Sequence, residues 1–444
     1  MMIDEEQTIN VVDAICGAGK TSWAIQMLND SEIAGFGDST TTVNKYIYVT
    51  PYLEQVERVI KATKADFFQP NYNDGTSKLE NFKMLVALGK NIVTTHEIFK
   101  RLDSSALNEI AQEGYTLIMD EAAQVIEQLH NIVLEDMELL LEIGAIEIGE
   151  LGKVHWLRDE VGKKHNSKFH DVRIMAENDT LFLQNGIAYY WTMNVKAFEV
   201  FDEIFILTYL FDAQEQKYYY DMHDVNYEKY SVVLNEENKY ELIDYDVTVE
   251  PRKELYNLLN IYEGPMNYNF DYREKDIDNL SPTEYEKIKK FQLSSRWFDK
   301  APSTDIAQMN KNLLNYFTNV SKQTTKDLFW TTLSSKANEL SNKKCKFNRR
   351  GNRENDNFLP FNARATNAYA NRTATAFVYN RFMNPNDKKF FLSRGVEVNQ
   401  DLMAVSDLIQ YLFRGCIREG KPMDCYIPSE RMRNALKDWS EYKI

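Results

Sequence analysis

The residue types best suited to chemistry sit in one short stretch, Thr8 to Asn29, TINVVDAICGAGKTSWAIQMLN. A β-branched run, Thr8 to Val12, leads into a glycine-rich turn that ends in Gly19-Lys20-Thr21. Trp23, Ile25, Met27 and Leu28 then continue with the apolar content of a buried helix. Strand, glycine-rich turn and helix form the setting in which a phosphate loop carries meaning. Gly17 and Gly19 let backbone N–H groups turn inward around phosphate oxygens, and the helix N-terminus adds its positive dipole end. Ala14, Ala18 and Ser22 complete the loop, with Ala14 standing where the strict pattern has glycine. In this pattern Lys20 reaches the β- and γ-phosphates of ATP, and the Thr21 hydroxyl binds Mg²⁺.

Such a loop needs a metal-orienting acid on a neighbouring strand. Tyr115 to Met119, YTLIM, reads as that strand and runs into Asp120-Glu121-Ala122-Ala123. The pair divides two jobs: Asp120 holds Mg²⁺, and Glu121 orients and deprotonates the attacking water.

These side chains need a sheet to bring them together. Three further strands are expected at Tyr46 to Thr50, Asn91 to Thr95 and Glu203 to Thr208, each ending in a polar segment. Strands alternating with helical stretches predict a parallel sheet with ligands at its C-terminal edge. Threonines at those ends suit contact with a nucleic-acid backbone, and they are equally ordinary strand residues.

The 444 residues are about three times a usual domain length and predict two or three domains. Hydrophobic residues at 43% and charged residues at 27% exclude wholesale disorder. The net charge of −15 argues against a protein that coats nucleic acid over its whole surface. That charge is uneven: Ser321 to Ile444 carries +9, leaving −24 on the first 320 residues. Asn342 to Arg353 holds six basic residues and no acid, which reads either as a solvated loop or as a polyanion contact. Four cysteines without a CxxC pair indicate neither a zinc ribbon nor a disulfide scaffold. With no apolar run of membrane length and an acidic N-terminus, the expectation is a soluble protein of a reducing cytoplasm.

Taken in order, these segments resemble superfamily 2 helicases of the DExD/H-box type, in a divergent form like those of phages and mobile elements. The resemblance assigns nucleic-acid contacts to Thr50, Pro51, Thr95 and His96 in the first half. In the second half, Asp327 to Ser334 (DLFWTTLS) matches a strand motif with Thr331 and Thr332, and Phe358 to Arg372 matches a coupling motif with Arg364. Ser406 to Arg418 matches the final motif, with Gln410, Arg414 and Arg418 as its catalytic set. Their offsets of zero, four and eight depart from the family's zero, four and seven, so Arg414 is the better arginine finger. Arg418, one helical turn further, is expected on the same helix.

The resemblance implies an α/β fold of two RecA-like domains with parallel sheets, a P-loop NTPase with insertions in both halves. Residues 1–225 would form the ATP-binding domain, with an insertion near 145–190, and 226–444 the second domain, with an insertion near 250–320. Its expected chemistry is ATP hydrolysis with Mg²⁺ in the cleft between domains, stimulated by nucleic acid, DNA ahead of RNA. Replication or recombination proteins are candidate partners, and host cytoplasm is the expected setting for a phage-encoded chain. Two other readings stay open: a double-strand translocase that does not separate strands, and a nucleotide-binding regulatory protein. His165 and His170 read as loop histidines without metal-ligand spacing. Tyr218-Tyr219-Tyr220 reads as tyrosine-rich strand ahead of a base-stacking site.

Overall fold

The computed structural model describes residues 8–35, 44–72, 75–164, 166–267, 281–341, 357–363 and 368–444. The chain forms two units: Met1–Asp246 with Asn384–Val398, and Val247–Met383 with Asn399–Ile444.

Unit 1 is built on β1 (Ile9–Asp13), β2 (Lys45–Thr50), β3 (Phe67–Phe68), β4 (Asn91–Thr95), β5 (Tyr115–Asp120), β11 (Glu203–Thr208), β12 (Tyr227–Leu234) and β13 (Tyr240–Asp244). They form one sheet in the order β13-β12-β1-β11-β5-β2-β4-β3. Every pairing is parallel except the β12–β13 hairpin at the edge. The central strands β1, β2, β5 and β11 are near-continuous apolar runs, as strands covered on both faces must be. The register places Asp13 opposite Thr208, Leu207 opposite Asp120, and Thr50 opposite Thr95. The C-terminal ends of five strands therefore share one edge, and the α/β class with parallel sheets is as expected. Residues 226–246, grouped with the second half in the sequence reading, pair into this sheet through β12 and β13.

Between β5 and β11 lies a smaller assembly: the antiparallel sheet β6-β10-β9, of β6 (Ile126–Leu129), β10 (Ala188–Thr192) and β9 (Leu181–Gln184). A hairpin of β7 (Ile146–Ile148) and β8 (Val154–Trp156) joins it around Met137, Leu140, Val154 and Tyr189. Asn384–Val398 belongs to unit 1 and packs here. Tyr190 donates to Asp387 Oδ1 at 2.8 Å, and the Arg394 guanidinium lies 3.6 Å from the Phe390 ring centre. The tyrosine triplet is not a strand: Tyr218, Tyr219 and Tyr220 lie in the helix Glu215–Met222. All three are buried, against Phe391, Phe198 and Phe211, and this ring packing overrides the β preference of tyrosine.

Unit 2 holds a parallel four-stranded sheet in the order β14-β17-β16-β15, from Leu259–Ile261, Met423–Tyr426, Ala374–Val378 and Leu328–Thr332. The helix Gln400–Leu412 buries Leu408, Tyr411 and Leu412. The basic stretch Asn342 to Arg353, Arg364 and His165 lie outside the described residues.

Candidate functional site

Asp13 ends β1 and is almost fully buried. Its carboxylate accepts the N–H groups of Leu210 at 2.7 Å and Phe211 at 2.9 Å, tying the turn after β11 to the start of the glycine loop. The loop then needs two left-handed residues, and both are glycine: Gly17 at φ +89° and Gly19 at φ +107°. Lys20 opens α1 (Lys20–Gly35), and its ammonium folds back over the loop onto the Ala14 and Ile15 carbonyls. Ala14 is buried, while Ala18, Gly19, Thr21 and Ser22 are half-buried around the loop.

One strand beyond β11, Asp120 ends β5. Its Oδ2 accepts from the Thr21 hydroxyl at 3.2 Å and from the Tyr48 hydroxyl of β2 at 3.2 Å. Burial raises the Asp120 carboxyl from its ordinary value to about 6, and the charge of Glu121 adds to this. The Lys20 charge and the hydrogen bonds from Thr21 and Tyr48 pull the other way. The same burial, with Asp120 alongside, pushes the Tyr48 hydroxyl far above its usual range. Two hard oxygen donors, one a buried carboxylate that resists carrying its charge alone, fit a small divalent cation. Among the described residues, no group of three or more His, Cys, Asp or Glu side chains could hold a metal.

Glu121 follows in the left-handed region, at φ +69°, a conformation uncommon for a residue with a Cβ. Two contacts hold it there. Its own N–H donates to Leu207 O at 2.8 Å, and two residues on, the Ala123 N–H donates to Gln216 Oε1 at 2.8 Å. Gln216 is itself fixed through Nε2 to the Tyr220 hydroxyl at 2.7 Å. The Glu121 side chain is half-buried.

The strand-end residues assigned to nucleic acid lie along the same edge. Thr50 is buried and its hydroxyl bonds Gln55, while Pro51 and Thr95 are half-buried. His96 turns toward the acid pair, its Nε2 lying 3.0 Å from Asp120 O. The neighbouring Thr94 hydroxyl is buried without a partner among the described residues.

In unit 2, Thr331 and Thr332 are both fully buried in β15. Thr332 donates to Val378 O at 2.9 Å, and the Thr331 hydroxyl has no partner among the described residues. Gln410, Arg414 and Arg418 do not share a helix, contrary to the sequence expectation. The helix stops at Leu412, Arg414 sits in the following turn, and Arg418 is exposed in the short turn Cys416–Glu419. Beyond the helix the chain passes close to the sheet at Gly415, where a Cβ would lie 2.6 Å from Met423 Sδ and 2.9 Å from a Phe329 ring atom. Gln410 donates to Ser406 Oγ at 3.2 Å. Asp407 pairs with Arg381 at 2.7 Å, and Arg414 Nε is buried without a partner among the described residues.

Sequence reasoning missed Asp13, Tyr48 and Gln216. Asp13 had a usable signal, an acid closing an apolar strand immediately before the glycine loop. Tyr48 and Gln216 had none, because their partners lie 72 and 93 residues away.

A family model, the YonV C-terminal Rossmann-like domain, matches residues 253–440, and a second, the YonV middle domain, matches 126–191. The SPbeta prophage-derived uncharacterized protein YonV of Bacillus subtilis (strain 168) is 31% identical over 445 residues, covering 98% of this chain and 99% of the relative. Among solved structures, Xpd4 of S. tokodaii has a TM-score of 0.48 at 12% identity, covering 98% of this chain and 94% of its own. An XPD helicase has a TM-score of 0.41 at 10% identity, covering 97% and 94%. No described helix is long and apolar enough to cross a membrane.

Proposed function

This chain belongs to the YonV family, and we propose that it is a nucleic-acid-stimulated ATPase of helicase or translocase type. The observation that carries this reading is the meeting of Lys20, Thr21, Asp120 and Tyr48 at one sheet edge, with Glu121 locked beside them in a strained backbone.

In the reaction, the loop amides and Lys20 grip the triphosphate, and Lys20 exchanges its bonds to the Ala14 and Ile15 carbonyls for phosphate oxygens. Thr21 and Asp120 are the residues that would hold Mg²⁺, whose charge offsets that of the phosphates. Glu121 accepts a proton from water as its oxygen bonds to the γ-phosphorus, and the bond to the departing ADP breaks. Arg414 of unit 2 is assigned to the charge that develops on the transferring group.

The deciding experiment measures ATP hydrolysis with no nucleic acid and with single-stranded DNA, duplex DNA, forked DNA and RNA. Stimulation by single strands or forks, together with strand displacement, supports a helicase. Stimulation by duplex alone identifies a double-strand translocase. Binding of ATP with no response to any nucleic acid would replace the motor with a regulatory nucleotide-binding protein.

A further inference from the structure

The edge hairpin of unit 1 does more than extend a sheet. β12 pairs with β1 only as far as Tyr230 opposite Val12, and then continues to Leu234. At about 3.3 Å per residue, this carries the hairpin some 13 Å past its last pairing, above the glycine loop. Tyr240 pairs with Leu234 at that raised end.

Gln26, inside α1, fixes Tyr240 by both backbone groups: its Nε2 donates to Tyr240 O at 2.9 Å, and its Oε1 accepts the Tyr240 N–H at 2.9 Å. The tyrosine ring lies directly against the loop. A Cβ built on Gly19 would fall 2.1, 2.6 and 2.8 Å from three atoms of that ring, so only glycine fits beneath it. Tyr240 is half-buried and, with Ala18, Met27 and Leu242, packs against the apolar cluster that includes Val12, Trp23 and Val232.

Direction follows from strand order. Asp120 ends β5, two strands from β1 on one side, and Tyr240 begins β13, two strands from β1 on the other. A triphosphate whose terminal phosphate meets Thr21 and Asp120 runs its nucleoside away from β5, toward the hairpin. An aromatic ring clamped beside the loop on that flank is a stacking platform for a planar base.

We propose that Tyr240 stacks on the base of the bound nucleoside triphosphate, with Gln26 as its positioning residue. The inference rests on the nucleotide reading above and deepens it. Stacking uses the face of a base and not its edge, so this contact favours any purine and does not separate ATP from GTP.

The test is calorimetric binding of Mg²⁺ complexes of ATP, GTP and inorganic tripolyphosphate, which has the phosphates and no base. Tyr240→Leu keeps apolar packing, and it is expected to weaken ATP and GTP about tenfold while leaving tripolyphosphate unchanged. Tyr240→Phe keeps parental affinity for all three. Tyr240→Trp supplies an independent signal, an indole emission change with ATP and none with tripolyphosphate, which serves if the leucine variant does not fold. Unchanged ATP binding in Tyr240→Leu overturns the stacking role. So does an equal loss for ATP and tripolyphosphate, which would mark the ring as a prop for the loop. A parental protein that binds neither compound sinks the phosphate-loop reading itself, and the stacking role with it.

Discussion

The glycine-loop end of unit 1 and the Arg414 end of unit 2 differ in how fully their polar side chains are bonded. In unit 1 most polar groups at the sheet edge are bonded, Asp13 to two amides, Lys20 to two carbonyls, Thr21 and Tyr48 to Asp120, Gln216 to the Ala123 amide, with the Thr94 hydroxyl the exception. In unit 2, the Thr331 hydroxyl and Arg414 Nε are buried with no partner among the described residues. A buried polar atom left unbonded costs roughly 1–3 kcal/mol and calls for an explanation. The contrast teaches that the first set is already ordered by its own hydrogen bonds, as the proposed nucleotide site requires. The second leaves two buried polar atoms unbonded among the described residues, and the Arg414 variants below ask whether that matters to turnover.

The strongest way to break this contrast is Lys20→Ala. Among the described residues its ammonium bonds to loop carbonyls, and it lies outside the apolar core, so ATP hydrolysis should be abolished with little change in thermal unfolding. Normal turnover by a folded Lys20→Ala protein would remove the phosphate-loop assignment.

Arg414→Ala comes next, with stimulated turnover expected to fall by about 10³ while ATP binding changes little. Arg414→Lys keeps the charge and loses the planar fork, so most of the loss should remain. Arg418→Ala is the control: the exposed Arg418 is expected to have a small effect, and a larger one than that of Arg414 would move the finger. If Arg414→Ala lowers the melting temperature but leaves turnover per folded molecule intact, the unpaired Nε is a packing feature and the contrast between units loses its functional meaning.

Glu121→Gln should retain ATP binding and lose roughly 10²–10³ in turnover, because an amide keeps the shape and cannot take a proton. The left-handed backbone at this position sharpens the assignment. Glu121→Gly relieves the strain and removes the base, so it should raise thermal stability while matching the turnover loss of Glu121→Gln. Hydrolysis at the parental rate in Glu121→Gln would make the acid pair a structural turn.

How legible these regions were in the sequence follows the same division. The five strands that end at the unit 1 site were readable because continuous apolar runs between polar segments leave little alternative. The glycine loop and acid pair were readable because their chemistry is local. What was hidden depends on distant partners. Tyr240 is held by Gln26 across 214 residues, and Asn384–Val398 packs with unit 1 although the chain on both sides belongs to unit 2. The Arg414 turn was hidden differently: helical spacing suggested one continuous helix, while the chain leaves the helix after Leu412 and passes close to Met423 and Phe329 at Gly415.

The smallest effect expected concerns Asp120, and it tests whether the assembled site is tuned for a cation. Its folded-state carboxyl, at about 6, lies above the ordinary aspartate value because of burial first and the Glu121 charge second. The folded protein therefore holds this proton more tightly than the unfolded chain does. Between about pH 4 and 6 the unfolded chain releases it first, so this residue's contribution to stability falls as pH rises and is fully lost above about 6. Two units correspond to an upper bound of ~3 kcal/mol. Asp120→Asn removes the titration, so the difference between variant and parent in urea unfolding should widen in favour of the variant from pH 4 to 7. Mg²⁺ favours the charged carboxylate and should close that gap in the parent above pH 6, with no effect on Asp120→Asn. A parent–variant difference that stays flat from pH 4 to 7, with or without Mg²⁺, would mean that Asp120 is already satisfied by Thr21 and Tyr48. The edge of unit 1 would then be a finished hydrogen-bond network and not a cation site in waiting.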